Sequence, residues 1–120
     1  MLGRLLFGLI LAVSTTAAAA ADLKLIMFEQ HGCVYCERWK AEIAPIYPKT
    51  AEGKAAPLQI INIHEPLPKG ISLKSRPYFT PTFVLIDGGV EIQRLEGYAG
   101  DDFFWVLLEE LLIKSGKYKS

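Results

Sequence analysis

Apolar and polar positions change rhythm several times along the 120-residue chain. A continuous apolar stretch, Leu5 to Val13, comes first and gives way to the small residues Ser14 to Ala21. Leu23 to Phe28 (LKLIMF) is a short apolar run of the kind that forms a buried strand, and Glu29 to Gly32 breaks it with a polar loop. From Cys33 the period becomes helical. Cys36, Trp39, Ile43, Ile46 and Tyr47 recur three or four apart, while Glu37, Arg38, Lys40 and Glu42 take the other side. Pro45 and Pro48 are expected to kink and then end that helix. Lys49 to Ala56 reads as a polar connection.

Leu58 to Ile63 (LQIINI) is a second strand. His64 to Tyr78 holds Pro66, Pro68, Gly70 and Pro77 and reads as loop, with one helical turn expected near Ile71 to Ser75. Thr82 to Asp87 (TFVLID) is a third strand, and Asp87-Gly88-Gly89 is a tight hairpin signal. Val90 to Leu95 (VEIQRL) alternates as an antiparallel strand with one wet face should. After a turn at Gly97 to Gly100, Asp101 to Lys114 is a helix with acids at its start and a base at its end, which suits the macrodipole. Phe103, Phe104, Leu107, Leu108, Leu111 and Leu112 form its expected buried stripe, and Gly116 is the stop. The order β-α-β, loop, β-β-α predicts an α/β fold: a central mixed four-stranded sheet with flanking helices.

The first 21 residues read as a leader rather than as part of that fold. Arg4 supplies a positive start, Leu5 to Val13 an apolar core, and Ala19-Ala20-Ala21 a small-residue cleavage pattern. Cleavage after Ala21, or one residue earlier, leaves a single domain, 22–120; the other reading is an uncleaved anchor. Losing the leader removes one base, Arg4, and no acid from a chain that carries 13 of each, so the mature protein stays near neutral. No run of Lys and Arg suggests a nucleic-acid partner. Lys114, Lys117 and Lys119 are expected to form a solvated helix end, with a basic docking tail as the alternative.

Export to an oxidising compartment permits disulfides, and the two cysteines, Cys33 and Cys36, are three apart. A loop that short removes little entropy from the unfolded chain, so the pair is a poor staple. C-x-x-C beside a βαβ pattern is instead a redox signature. Cys33 falls where strand gives way to helix, and free N–H groups and the positive end of the dipole favour the attacking thiolate there. Cys36 lies on the apolar stripe and should be the more buried sulfur, with Cys33 attacking and Cys36 resolving. A zinc site would need four ligands, and only His31 and His64 could complete it. Haem attachment needs a histidine where Glu37 stands. His31 could help hold a thiolate if charged, but its ordinary pKa leaves it mostly neutral at pH 7. His64 is expected to be a loop residue.

Cys33-Val34-Tyr35-Cys36 after a strand, Thr80-Pro81 opening a later strand, the Gly88-Gly89 hairpin and Gly97-Tyr98 before a last helix resemble the thioredoxin superfamily over nearly all of residues 22–114. The resemblance implies a cis bond at Pro81, facing the active disulfide, and a substrate chain pairing with the backbone just before it. It assigns substrate contact to Thr80, Pro81, Val34 and Tyr35. More narrowly, FEQHGCVYCERW (Phe28 to Trp39) and RPYFTPTFVLIDGG (Arg76 to Gly89) resemble the small periplasmic thioredoxins of bacterial sulfur-oxidation clusters. That implies a periplasmic monomer that reduces a protein partner with a reactive cysteine, such as a sulfur-carrier protein, and draws electrons from a membrane thiol–disulfide transporter. No cofactor or metal is implied. The sequence departs from the wider family in three places: Met27 stands where a buried aspartate is usual, Gly32 where a tryptophan is common, and Val34-Tyr35 where Gly-Pro is common. Tyr35 resembles the periplasmic isomerase and reductase branch. A periplasmic isomerase or oxidant, a metal-binding C-x-x-C protein and a non-catalytic binding module are the alternatives.

Overall fold

The computed structural model describes residues 3, 5, 7–13 and 22–119. Arg4, the stretch 14–21 and the expected cleavage site lie outside the described residues. Among the described residues, no helix is long and apolar enough to cross a membrane.

Strand β1 (Leu23–Glu29) pairs in parallel with β2 (Leu58–Asn62) and antiparallel with β3 (Thr82–Asp87), which pairs antiparallel with β4 (Val90–Glu96). The sheet order is β2-β1-β3-β4, the expected mixed sheet of four strands. Helices α1 (Val34–Glu42), α2 (Ala51–Ala55) and α3 (Asp101–Lys114) complete the fold. Successive strand residues face opposite ways, and both faces of the central strands are covered, which is why β1 and β3 read as continuous apolar runs. Leu23, Leu25, Met27, Phe83 and Leu85 share a core with Cys36 and Trp39 of α1, Ile43 just past its end, and Phe104, Leu108, Leu111 and Leu112 of α3. Ile26, Phe28, Val84 and Ile86 fill the other face with Ile61, covered by Leu67, Ile71 and Leu73 from irregular chain rather than by a helix. Trp39 anchors the helical side, with ring centroids 5.0 Å from Phe83 and 5.5 Å from Phe104. Aromatic pairs of this kind add roughly 0.5–1.5 kcal/mol each beyond the area they bury.

Several local expectations change. Helix α1 stops at Glu42, before Pro45, instead of kinking through it. Proline disfavours helix at the residue before it and would clash with the carbonyl four residues back. The chain then takes a 3-10 turn at Tyr47–Lys49. The expected connection 49–56 contains α2, started by Thr50, whose hydroxyl accepts the Gly53 N–H at 3.0 Å. Buried Tyr47 donates to the Ala56 carbonyl at 2.6 Å, and burial holds its phenol above the usual range. On α3, Phe103 is exposed, Leu107 is half-buried, and Trp105, outside the expected stripe, packs against the core. Lys117 is not simply solvated, since it pairs with Asp87 at 2.7 Å.

Strand β4 does not alternate strictly. A register shift leaves Ile92 without a cross-strand partner between Gln93, opposite Leu85, and Glu91, opposite Ile86. Such a bulge places residues three apart on one face. Ile92 and Leu95 both reach the helical core. Glu91 is only 4% exposed, and Arg94 grips it with Nε and a terminal nitrogen at 2.8 and 2.7 Å. The expected helical turn near Ile71 to Ser75 does not form; the segment instead makes one parallel bridge to β4, Ser72 with Val90, and bends at Lys74 and Ser75. Ser72 donates to Gly89 and accepts from Glu91, Lys74 N–H donates to the Glu91 carboxylate, and Arg94 donates to the Ser75 carbonyl. The segment thereby covers an otherwise open sheet edge.

Two predictions follow from this packing. A Cβ on Gly53 would lie 1.8 Å from the Tyr47 carbonyl oxygen. Gly53→Ala, which normally favours a helix, should therefore destabilise by about 1–3 kcal/mol in urea unfolding; a gain in stability would contradict this packing of α2. Hydrogen bonds from Arg94 hold the Glu91 carboxyl below the usual carboxylate range, against the opposing effect of burial. The unfolded carboxyl titrates near about 4.3. The ionised pair therefore contributes fully above that pH, and its contribution is lost as pH falls through the lower folded value. Thermal melts from pH 6 to pH 2 should show this loss, and Glu91→Gln should flatten that part of the profile.

Candidate functional site

Three chain segments meet at one end of the sheet, and the strand register brings them there. The C-terminal end of central β1 pairs with the start of β3, Phe28 opposite Thr82. The start of β3 in turn pairs with the end of β4, Thr82 opposite Glu96. The residues just beyond these ends therefore lie side by side: Gln30 to Cys33, Phe79 to Pro81, and Gly97 to Gly100. Gly97 N–H donates to the Pro81 carbonyl at 2.8 Å, and Gln30 Nε2 donates to Thr80 Oγ1 at 2.8 Å. The Thr80–Pro81 bond is cis. Thr82 fixes the approach by donating its hydroxyl to the Phe79 carbonyl at 2.7 Å.

Cys33 is the N-cap of α1, with extended backbone at φ −83° and ψ 101°, and its sulfur accepts the Cys36 N–H at 3.1 Å. Cys33 and Cys36 are joined in a disulfide, their Cα atoms 5.2 Å apart. Cys33 is half-buried, while Cys36 is fully buried against Met27 and Trp39 in the helical core. One sulfur thus faces solvent at the positive end of a helix, and its mate sits in apolar surroundings. An attacking thiolate is favoured at the first position and disfavoured at the second.

A groove of about 410 Å³ lies beside the disulfide, lined by Tyr35, Arg38, Thr80, Pro81, Gly97, Tyr98 and Ala99. Exposed Val34, Tyr35, Tyr78 and Phe79 add apolar surface from the active-site helix and the segment before Thr80. The Arg38 guanidinium carbon is 6.0 Å from the ring centroids of both Tyr35 and Tyr98. Tyr98 donates its hydroxyl to the Glu42 carboxylate; burial, with that hydrogen bond, raises the phenol above the usual range. On another side of the loop, Lys40 bridges Glu29 at 2.6 Å and Glu37 at 2.8 Å. Hydrogen bonds to these two carboxylates, Glu29 first, raise the ammonium above its ordinary range.

The structure brings together Cys33, Cys36, Val34, Tyr35, Thr80 and Pro81. His31 is exposed in the turn before Cys33. His64 Nε2 lies 3.2 Å from Gln30 Oε1, so Gln30 spans Thr80 and His64. Among the described residues, no three or more His, Cys, Asp or Glu side chains gather as a metal-ion cluster. Sequence reasoning missed Gln30, Arg38 and Tyr98 as site residues. Arg38 reads as a solvated helix position, and only its spacing of three from Tyr35 hints that the two share a face.

A family model, thioredoxin-like domain, matches residues 12–112. Among solved structures, the chain is similar to the periplasmic thioredoxin SoxS of Paracoccus pantotrophus in its reduced form. That match has 56% identity and a TM-score of 0.77, covering 78% of this chain and 99% of the other. Two remoter structures share the fold. Thioredoxin f2 of Chlamydomonas reinhardtii has 15% identity and a TM-score of 0.56, covering 85% and 86% of the two chains. The thioredoxin Mala s 13 of Malassezia sympodialis has 20% identity and a TM-score of 0.51, covering 76% of each. No curated protein matches.

The unequal exposure of the two sulfurs makes a direct prediction. In the reduced protein at neutral pH, limiting iodoacetamide should modify Cys33 at least about tenfold faster than Cys36, in keeping with exposure and thiolate character. Peptide mapping by mass spectrometry reads the order, and equal labelling would remove the basis for assigning separate roles.

Proposed function

The chain belongs to the thioredoxin-like family, a thiol–disulfide oxidoreductase fold, and we propose that it is an exported reductase of protein disulfides. Residues 1–21 serve as its leader and 22–120 as its working domain. The periplasmic origin of the 56% identical thioredoxin supports this location. The observation that carries the reading is the capped, half-exposed Cys33 with Cys36 buried directly behind it.

In the reduced protein the Cys33 thiolate attacks one sulfur of the partner's disulfide. The Cys33–partner bond forms, the partner's own S–S bond breaks, and the first partner sulfur leaves and takes up a proton. Cys36 then gives up its proton and attacks the Cys33 sulfur. The Cys33–Cys36 bond closes and the second partner sulfur leaves as a thiol. Two electrons have passed from the pair to the partner; Cys36 supplies one proton and solvent the other, replacing the one Cys33 lost on forming its thiolate. The groove beside Pro81 receives the partner's chain, with Val34, Tyr35, Thr80 and Pro81 in contact with it. A membrane dithiol transporter returns the electrons, and a sulfur-carrier protein with a reactive or blocked cysteine is the expected partner.

Trapping tests both the activity and the roles. Cys36→Ser should accumulate a mixed disulfide with the partner on a non-reducing gel, while Cys33→Ser should give none. The reverse pattern would exchange the two assignments. The reduction potential settles direction: a value near about −270 mV fits a reductase, and one near about −120 mV an oxidant.

A further inference from the structure

The groove beside the disulfide carries one charged side chain, Arg38, among six uncharged neighbours. Four features prepare that guanidinium for a ligand. It stands within 6.0 Å of two ring centroids, Tyr35 and Tyr98, which hold a cation by their faces. It forms one ion pair among the described residues, Nε to Glu42 at 3.6 Å, which is longer than a hydrogen bond. Glu42 is itself engaged by the Tyr98 hydroxyl. The side chain is 51% exposed, so an incoming group can reach it.

An arginine has five donors in a planar fork that matches a carboxylate with two parallel bonds. Here that fork lies in the same groove as Thr80 and Pro81, the place where a partner's chain would run past the sulfurs. We propose that Arg38 is a specificity-determining residue that reads a carboxylate close to the partner's cysteine, so that the protein prefers acidic disulfide substrates. Two sources share this chemistry, an Asp or Glu side chain within a few residues of the cysteine and a chain-terminal carboxylate. The proposal rests on the exchange activity argued above and names the substrate class for it. Tyr35 and Tyr98 position the guanidinium, whose ion pair with Glu42 is loose at 3.6 Å and partly exposed, so a ligand carboxylate can compete for it.

The probes are symmetric disulfide dimers of short peptides, with blocked ends, carrying Asp, Asn or Lys two residues before or after the cysteine. A further pair has an Asn flank and a free or an amidated C-terminus. The pre-reduced protein is mixed with each peptide in single turnover, and chromatography follows release of the thiol. The wild-type protein should reduce an Asp dimer roughly fivefold faster than its Asn counterpart and the Lys dimer more slowly still, the scale expected of a partly exposed ion pair. The preference should shrink as salt is raised to 0.5 M, as screening requires. Arg38→Gln should bring the Asp-to-Asn ratio to about one, and Arg38→Lys should restore part of it. A preference confined to the free C-terminus assigns the site to a terminal carboxylate, and one confined to the Asp peptides assigns it to a side chain. Equal rates for every peptide, a preference for Lys, or an Asp preference that survives in Arg38→Gln would overturn the proposal. If no peptide is reduced faster than by a Cys33→Ser control, the exchange reading itself falls, and the subsite with it.

Discussion

A helix cannot satisfy its own first amide groups, and at the start of α1 a sulfur takes one of them. Cys33 caps the helix by accepting the Cys36 N–H, which requires extended backbone at Cys33 and fixes the position of its side chain. The same bond ties the Cys33 sulfur to the backbone of its redox mate. Everything else in the site is arranged around that cap. Central β1 delivers the chain to it, and the antiparallel register of β3 brings Pro81 to the same end of the sheet. The end of β4 supplies Gly97 and Tyr98 as a further wall. A shift of one residue in the β1–β3 register would turn Thr82 and its neighbours to the opposite faces. The buried pairs Met27 with Phe83 and Leu25 with Leu85 oppose such a shift, because they belong to the same core as α1 and α3. Core packing and catalytic geometry are therefore the same constraint at this end of the molecule.

The elements that were legible are those with a long or uniform pattern. Thr82–Asp87 and Asp101–Lys114 have the bounds that their apolar runs imply, and Leu23–Glu29 differs by one residue. The illegible ones are set by contacts that no local pattern records. Helix α2 has five residues, too few to show a period, and it exists because Thr50 caps it and Gly53 lets it sit against the Tyr47 carbonyl. The stripe of α3 is rotated so that Phe103 is exposed while Trp105 enters the core, where its ring stacks on Tyr47 with centroids 6.1 Å apart. In β4 the string VEIQRL alternates only as far as Gln93, and the bulge at Ile92 is what lets Ile92 and Leu95, three apart, reach one core. A buried carboxylate such as Glu91 is stable only with its charge met, and the partners that meet it come from β4 itself and from Lys74, 17 residues earlier.

The site divides along the same line. The cysteines are a short motif, and their difference in burial follows from helical spacing, so both were readable. The cis bond at Pro81 was implied by family resemblance and not by any property of the string Thr-Pro-Thr. Gln30, Arg38 and Tyr98 lie on three different segments and acquire meaning only when those segments meet. Gln30 is 50 residues from Thr80 in sequence and 2.8 Å from it in space. Arg38 looks like one more charge on a wet helix face until Tyr98 closes in from the other side of the groove.

The departure at Met27 bears on how the proposed exchange handles its proton. Met27 stands where the wider family carries an acid, and it is fully buried in the same cluster as Cys36 and Trp39. Among the described residues the one buried carboxylate is Glu91, and it is held by Arg94 and the Lys74 amide. Cys36 thus sits in apolar surroundings that disfavour its thiolate. The group that arrives near it with unmet negative charge is the first partner sulfur as it leaves Cys33's target. Passing the Cys36 proton toward that sulfur, directly or through solvent, avoids leaving a charge in the core. In the proposed exchange, resolution is then coupled to departure of the partner's first sulfur. With the one buried carboxylate among the described residues held by Arg94, the proposed resolving step draws its proton acceptor from the partner or from solvent rather than from the core.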